Sequence, residues 1–259
     1  MKITVITVTY NSASTIVDTL RSVAQQTHPN IEHIIIDGAS TDATLSLVHK
    51  HASPTSRVLS EPDSGIYDAM NKGLRLATGG LVGFLNADDV FDNPNVLMQI
   101  AGAASDPSVA AVYGDLVYVS QNDLGRLVRH WRSGAFVPSR LGFGWMPPHP
   151  TFYVRRALVA ELGTFDTSFR IASDYDFMLR LLRMPGVVVR YVPEVLVRMR
   201  TGGASNRSAS ALWRKSSEDW RALRKNRVGG LSSLLCKNLR KLPQFFARRT
   251  RTRSSDGLA

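Results

Sequence analysis

Apolar and polar positions follow one another along the first half of the chain in a pattern that predicts strands separated by helices. Residues 2–9 and 33–37 are rich in β-branched side chains, and residues 81–85 form another short apolar run, which is typical of strands. Residues 16–23 and 65–77 instead repeat apolar side chains at helical spacing. Such alternation predicts βαβ units, with a mainly parallel sheet and helices on both faces.

The rest of the chain continues this α/β pattern. Further helices are predicted at residues 43–51, 95–104 and 173–183, and further strands at residues 58–60, 109–120, 128–131 and 187–192. Residues 142–150 are rich in Gly, Pro and aromatic side chains, so they are expected to form a loop.

Polar side chains follow three of the predicted strands, at the end where parallel sheets bind ligands. Tyr10 follows the first strand and Asp37 ends the second. Asn86 and Asp88 come directly after residues 81–85. Carboxylate oxygens there suit Mg²⁺ or Mn²⁺ bound to substrate phosphates, although the same residues are also common in turns.

Asp37 and the acidic residues of the predicted helix at 173–183 allow a catalytic or a structural interpretation. Asp37 can accept a hydrogen bond from a nucleobase or ribose hydroxyl, whereas a purely helix-capping role suits Asp42 better. Asp174 precedes the apolar periodicity of its helix and can act as a base if it reaches an acceptor hydroxyl. Asp176, inside that helix, can equally be a cap. His149 lies in a Pro-Pro-His-Pro segment, where it is either structural or on the acceptor side.

Charge divides the chain into two parts. Residues 1–205 carry 18 basic and 18 acidic side chains, whereas residues 206–259 carry 14 basic and 3 acidic ones. The formal charge of +11 therefore belongs to the tail. The single cysteine, Cys236, excludes an internal disulfide framework and fits a reducing cytosol.

The sequence lacks two features, a membrane-spanning segment and a dinucleotide-binding motif, and this excludes two classes of function. No apolar run approaches the roughly 20 residues that a membrane span needs. No glycine-rich dinucleotide fingerprint follows the first strand, so we expect no nicotinamide or flavin cofactor.

Five motifs, in order and at characteristic spacing, resemble glycosyltransferase family 2, the inverting enzymes of the GT-A fold. They are residues 4–11 (TVITVTYN), 34–42 (IIIDGASTD), 61–73 (EPDSGIYDAMNKG), 84–89 (FLNADD) and 173–177 (SDYDF). Each motif is weak alone, but the ordered set is specific. The third motif and residues 202–205 (GGAS) most resemble the colanic-acid-type subgroup that makes envelope polysaccharides and glycolipids.

The resemblance implies a GT-A domain at residues 1–206 and a role for each site residue. Tyr10 would lie beside the nucleobase, helped by main chain near Val8, and Asp37 would contact the base. Asp88 would ligate Mg²⁺ or Mn²⁺ on the donor diphosphate, and Asp174 would be the catalytic base. His149 is placed on the acceptor side.

Three positions depart from the family pattern. Asn86 stands where the first acid of the metal motif is expected, so one ionic contact becomes neutral. Ser173 stands where a glutamate often precedes the base. Arg200 stands where many members carry a histidine, and a guanidinium there could bind the diphosphate directly.

The basic tail, residues 207–259, is expected to contain helical segments broken at Gly229-Gly230 and Pro243. Its charge fits a solvated face or, less well, nucleic-acid binding, for which no recognised motif is present. Apolar residues between the basic clusters fit an anionic membrane surface best. We therefore expect a cytoplasmic enzyme that is peripheral on the inner face of the plasma membrane, with no nucleic-acid partner.

These observations together predict a glycosyltransferase that uses a nucleotide-diphosphate sugar and a lipid-linked or oligosaccharide acceptor. A sugar nucleotidyltransferase is the alternative enzyme, but it would normally carry a glycine- and arginine-rich phosphate loop where this chain has residues 11–14 (NSAS). The non-enzymatic alternative is a membrane-docked scaffold that kept the fold and lost catalysis, which Asn86 and Ser173 would permit.

Overall fold

A computed structural model describes residues 1–202, 209–230, 233, 234 and 236. The strands in this part of the chain are β1 (Ile3–Thr9), β2 (Ile31–Asp37), β3 (Arg57–Ser60), β4 (Leu81–Phe84), β5 (Val90–Phe91), β6 (Val109–Ser120), β7 (Asp123–Trp131), β8 (Tyr153–Arg155) and β9 (Val188–Arg200). The α-helices are α1 (Ile16–Ala24), α2 (Thr44–His51), α3 (Ile66–Leu76), α4 (Val96–Ala103), α5 (Arg156–Leu162), α6 (Ser173–Leu182) and α7 (Ala209–Lys225). Two short 3₁₀ helices span Pro138–Phe143 and His149–Thr151.

Among the described residues, the strands form one sheet in the order β3-β2-β1-β4-β8-β6-β9-β5, with β7 paired to β6. The first four strands are parallel, as the βαβ pattern predicts. Beyond β4 the sheet is mixed, since β8 is antiparallel to both β4 and β6, while β6 and β9 are parallel. The α/β architecture expected of a GT-A fold is confirmed, and its parallel half is the N-terminal one.

Helices cover both faces of the parallel half because β2 is apolar on both sides. Ile34 and Ile36 face the core formed with α3 and α6, whereas Ile35 faces the core formed with α1 and α2. Both faces are fully buried, with 0% exposure at all three isoleucines, as a central parallel strand requires.

The last strand is longer than the sequence pattern indicates. Strand β9 continues through Pro193 to Arg200, although a proline inside an apolar run usually ends a strand. The β6–β9 register shifts on either side of Asp115, and such an irregularity accommodates a residue that lacks an N–H.

Two threonines of β1, Thr4 and Thr7, are buried with hydrogen-bond partners that β2 supplies. Thr4 Oγ1 donates to Glu32 Oε2 at 2.6 Å, and Thr7 Oγ1 lies 3.0 Å from His33 Nε2. Glu32 also binds Lys2 Nζ at 2.9 Å and the Thr78 N–H at 2.7 Å. Burial alone would raise the pKa of Glu32, but these hydrogen bonds outweigh it and lower the pKa from 4.5 to about 2.

We expect Glu32→Gln to destabilise the fold by about 1–3 kcal/mol at pH 7. Because the folded-state pKa is lowered, the stabilisation is complete above about pH 4.5 and is lost as the pH falls towards 2. Urea unfolding at pH 7 and pH 3 measures this, with the exposed Glu161→Gln as control. A difference between Glu32→Gln and the parent that stays constant with pH would contradict it.

The first helix of the predicted tail packs against the GT-A body. In α7, Ala222 and Leu223 are fully buried, and Val228 just beyond it is 8% exposed in the same core as α3 and α6. The predicted break at Pro243 and the apolar segment at 242–246 lie outside the described residues. Within the described part of the chain, no helix has the length and apolar character to cross a membrane.

Candidate active site

The carboxyl ends of β1 and β2 are joined by a dense set of short hydrogen bonds. The Gly38 N–H donates to Thr9 O at 2.9 Å, and the Thr41 N–H donates to Asn11 Oδ1 at 2.9 Å. Asn11 adopts a left-handed conformation with φ of 49°, which asparagine tolerates better than most residues. Both loops are therefore held in one arrangement beside the end of the sheet.

An exposed aromatic ring and a carboxylate lie next to each other at this edge. Tyr10 is 62% exposed. A Cβ atom on Gly38 would lie 3.5 Å from Tyr10 Cδ2 and 2.5 Å from Asp63 Oδ2. A side chain at this position would displace the Asp63 carboxylate. The three residues form a surface on which a planar base can stack and form hydrogen bonds. Val8 lies in β1 with its side chain buried in the core shared with α3.

Asp37 lies beneath that surface rather than on it. Its carboxylate has no exposed area and accepts hydrogen bonds from the Ser40 N–H at 3.0 Å, Ser40 Oγ at 2.5 Å and Ser60 Oγ at 2.7 Å. This differs from the direct base contact that the family resemblance implies. The geometry makes Asp37 an anchor for the loop that carries Gly38.

The end of β4 brings an amide and two carboxylates to the same edge. The Leu85 N–H donates to Ile6 O at 3.0 Å, so residues 86–89 emerge beside the end of β1. Asn86 and Asp88 are partly exposed, whereas Asp89 is fully buried. Burial raises the pKa of Asp88 and of Asp89, and the charge of Asp88 raises that of Asp89 further.

Two buried oxygens of this group are suited to a cation. Asn86 Oδ1 and Asp89 Oδ1 are buried acceptors without a hydrogen-bond partner, and an unpaired buried acceptor is costly. No group of three or more His, Cys, Asp or Glu side chains with the arrangement of a metal site occurs within the described residues. The residues therefore fit Mg²⁺ or Mn²⁺ held by few protein oxygens and completed by phosphates.

Arg200, at the end of β9, binds the main chain of the metal motif. Its guanidinium donates to Asp88 O at 2.9 Å, Gln121 O at 3.2 Å and Asp18 Oδ2 at 2.6 Å. It is 6% exposed. The resemblance leaves open a direct contact with diphosphate, but the structure places the guanidinium in an internal network that fixes the Asp88 backbone.

The two aspartates of α6 have different surroundings. Asp176 has no exposed area and binds Arg180 Nε at 3.0 Å, Lys225 Nζ at 3.2 Å and Asn226 Nδ2 at 2.8 Å. Asp174 is partly exposed in the first turn of the helix. Asp176 is therefore a structural ion-pair partner, which leaves Asp174 as the carboxylate of this helix that a substrate can reach.

Asp174 is held next to two side chains of the body. The Tyr67 hydroxyl lies 3.0 Å from Asp174 Oδ1 and donates to Ile171 O at 2.6 Å. Burial raises the pKa of Tyr67, and the Asp174 charge acts in the same direction, so the phenol stays protonated. His149 stacks on Phe84 with ring centroids 5.4 Å apart; burial lowers its pKa against the opposing effect of Asp174.

Two aromatic residues of the loop before His149 have opposite surroundings. Trp145 is buried and its indole N–H donates to Ser133 O at 2.9 Å, which makes it a packing residue. Phe143 is 59% exposed.

Sequence reasoning missed three residues of this site. Asp63 and Tyr67 lie in the motif at residues 61–73. The acidic residues that follow the third predicted strand were the sequence signal for a functional role of this motif. Glu218 in α7 contacts the backbone before α6. No sequence signal pointed to Glu218, because it lies in a segment whose charge predicts a basic tail.

The chain is similar to known glycosyltransferases. The family model for glycosyl transferase family 2 matches residues 4–176. A PGL/p-HBAD biosynthesis glycosyltransferase of Mycobacterium bovis is 34% identical over 203 residues, which cover 76% of this chain and 77% of the relative. An uncharacterized glycosyltransferase of Mycobacterium tuberculosis is 34% identical over 218 residues, or 82% of this chain and 80% of the relative.

Solved structures share the fold at lower identity. Mannosyltransferase PcManGT from Pyrobaculum calidifontis, in complex with GDP-Man and Mn²⁺, has a TM-score of 0.65 and 23% identity, covering 95% of this chain and 73% of that one. S. aureus TarS 1-349 in complex with UDP-GlcNAc has a TM-score of 0.65 and 20% identity, covering 95% of this chain and 72% of that one. Because the family model matches more than half of the chain, this chain belongs to glycosyl transferase family 2 and is a nucleotide-sugar-dependent glycosyltransferase.

Proposed function

We propose that the enzyme is an inverting glycosyltransferase of bacterial envelope polysaccharide or glycolipid biosynthesis. It would transfer a sugar from a nucleotide-diphosphate donor to a hydroxyl of a lipid-linked or oligosaccharide acceptor. The proposal rests on three groups of side chains at one edge of the sheet, each suited to a different part of the reaction. Tyr10 offers a base platform, the Asn86–Asp88 group offers oxygens for a cation, and Asp174 offers an accessible carboxylate. The mycobacterial relative named for PGL/p-HBAD biosynthesis supports a glycolipid product.

The donor would be held by its nucleotide end. The base stacks on Tyr10 beside Gly38 and Asp63. Asp37 anchors the loop that carries Gly38. Asp88, with Asn86, would hold Mg²⁺ or Mn²⁺ against the diphosphate. The ion would supply positive charge that offsets the charge on the departing diphosphate. Arg200 contributes by fixing the Asp88 main chain.

Asp174 would perform the proton transfer. The acceptor oxygen forms a bond to the anomeric carbon as the carbon–oxygen bond to the diphosphate breaks, and that electron pair leaves with the nucleoside diphosphate. The hydroxyl proton moves to the Asp174 carboxylate. A single displacement of this kind inverts the anomeric configuration. His149, with its pKa lowered by burial, lies beside Asp174 as a neutral ring on the acceptor side.

A panel of nucleotide sugars tests the proposed reaction directly. The purified enzyme is incubated with each UDP-, GDP- and dTDP-sugar and Mn²⁺ or Mg²⁺, and release of nucleoside diphosphate is measured with and without an acceptor analogue. We expect one donor class to be turned over, with a product of opposite anomeric configuration. Binding without turnover of every donor would instead indicate the inactive scaffold.

The C-terminal segment supports membrane association. Residues 237–259 contain seven basic side chains and one acidic side chain. Ser233 Oγ donates to Gly142 O in the loop before β8. The adjoining 3₁₀ helix exposes Arg140 and Phe143, and Val137 just before this helix is exposed as well.

Removal of residues 237–259 should weaken binding to anionic vesicles and leave turnover with a soluble acceptor analogue unchanged. Each basic residue near an anionic surface contributes about 1 kcal/mol, and the effect fades within a Debye length of about 8 Å at physiological salt. Vesicle co-sedimentation at low and high salt measures this for the full chain and the truncated chain. Phe143→Ser in the full chain should reduce the part of the binding that resists salt. Equal binding of all three proteins would leave the tail as a solvated charged segment.

A further inference from the structure

A buried glutamate of α7 binds the backbone that leads into the helix of Asp174. Glu218 is 9% exposed. Both of its oxygens lie 3.1 Å from the Arg170 N–H, and Oε2 also accepts from the N–H groups of Ile171 at 2.8 Å and Ala172 at 3.0 Å. Three consecutive main-chain donors thus converge on one carboxylate, which compensates for burying its charge.

The same short segment is held from its other side by α3. Ile171 O accepts the hydrogen bond of the Tyr67 hydroxyl at 2.6 Å, and that hydroxyl lies 3.0 Å from Asp174 Oδ1. The peptide units around Ile171 are therefore fixed through their N–H groups by Glu218 and through a carbonyl by Tyr67. Asp174 follows three residues later, in the first turn of α6.

We propose that Glu218 and Tyr67 are positioning residues that hold Asp174 where it can take the proton of the acceptor hydroxyl. This inference depends on Asp174 being the base of the proposed function. The first helix of the basic tail thereby becomes part of the catalytic unit. A displacement of about 1 Å in a reacting group can cost about 10²-fold in rate, so loss of either contact should be visible in kcat.

Tyr67→Phe is the first test, because it removes only the hydroxyl. The ring can keep its stacking on Phe165, whose centroid is 5.7 Å away. We expect kcat to fall roughly 10- to 100-fold, with the donor Kd unchanged. An unchanged kcat would overturn the role of Tyr67.

Glu218→Gln is the second test, because it replaces one carboxylate oxygen with an amide NH₂ group. That group cannot accept a hydrogen bond from the main-chain N–H groups. We expect a similar loss of kcat without a change in donor Kd. Leu223→Ala is the matched control, since Leu223 lies in the same helix and is fully buried, but its side chain has no polar atom that could accept hydrogen bonds from residues 170–172. It should lower Tm while leaving kcat near that of the parent at low temperature. An equal loss of kcat in Leu223→Ala would show that α7 acts only through stability.

Double-mutant cycles separate positioning from a general structural role. If Tyr67 and Glu218 act through Asp174, then adding either substitution to Asp174→Asn should cost nothing further in turnover. Equal losses in both backgrounds would overturn the inference. If Asp174→Asn alone keeps near-normal turnover, the base assignment fails. If Asp174→Asn is inactive and both positioning variants are normal, only the positioning inference fails.

Discussion

Replacing Asp174 with asparagine should lower kcat by roughly 10²–10⁴-fold, the usual contribution of a general base. Asparagine keeps the size of the side chain and its place 3.0 Å from the Tyr67 hydroxyl, but it cannot take a proton. The donor Kd should change little, because the base acts on the acceptor. Steady-state kinetics with an acceptor analogue, together with calorimetric titration of the donor, measures both quantities.

Asp176→Asn is the control within the same helix. This carboxylate is fully buried between Arg180, Lys225 and Asn226, so its loss should lower Tm while turnover of the folded enzyme is kept. The reverse result, with Asp174→Asn active and Asp176→Asn folded but inactive, would assign the base to Asp176.

Asp88→Ala should reduce transfer by roughly 10³-fold or more, because a metal ion on a departing diphosphate supplies several kcal/mol of charge stabilisation. Excess EDTA should reduce the parent enzyme to a similar level, and Mn²⁺ or Mg²⁺ should restore the parent but not the variant. Alanine keeps the main-chain carbonyl that Arg200 binds at 2.9 Å, so the fold should survive. Donor binding measured with and without Mn²⁺ separates loss of the ion from loss of the nucleotide.

Asp92→Asn provides the acidic control, since Asp92 Oδ1 pairs with Arg198 Nε at 2.8 Å. The Asp92→Asn variant should lose activity in excess EDTA and regain it with Mn²⁺ or Mg²⁺, as the parent does. Full activity of the parent in excess EDTA would contradict a role for the ion at Asp88, and the Asn86 and Asp89 oxygens would then need another partner.

Local patterns were sufficient to predict the elements that position the donor. β-Branched runs and helical spacing predict the first strands and helices, and parallel strands bring their carboxyl ends together by topology alone. The later half was harder, because β9 passes through Pro193 and the short β8 has only three residues. Their pairing depends on contacts with β6 that are distant in sequence.

The sequence by itself determined the α/β class, the family motifs and the residue types that meet at the sheet edge, because these depend on side-chain chemistry at short range. Only the tertiary structure decided which groups are accessible there. It buried Asp37 under Ser40 and Ser60, turned Arg200 towards the Asp88 main chain and separated Asp174 from Asp176. It also joined Glu218 to residues 170–172. Burial and hydrogen-bond pairing arise from elements far apart along the chain, so no local pattern of charge or hydrophobicity contains them.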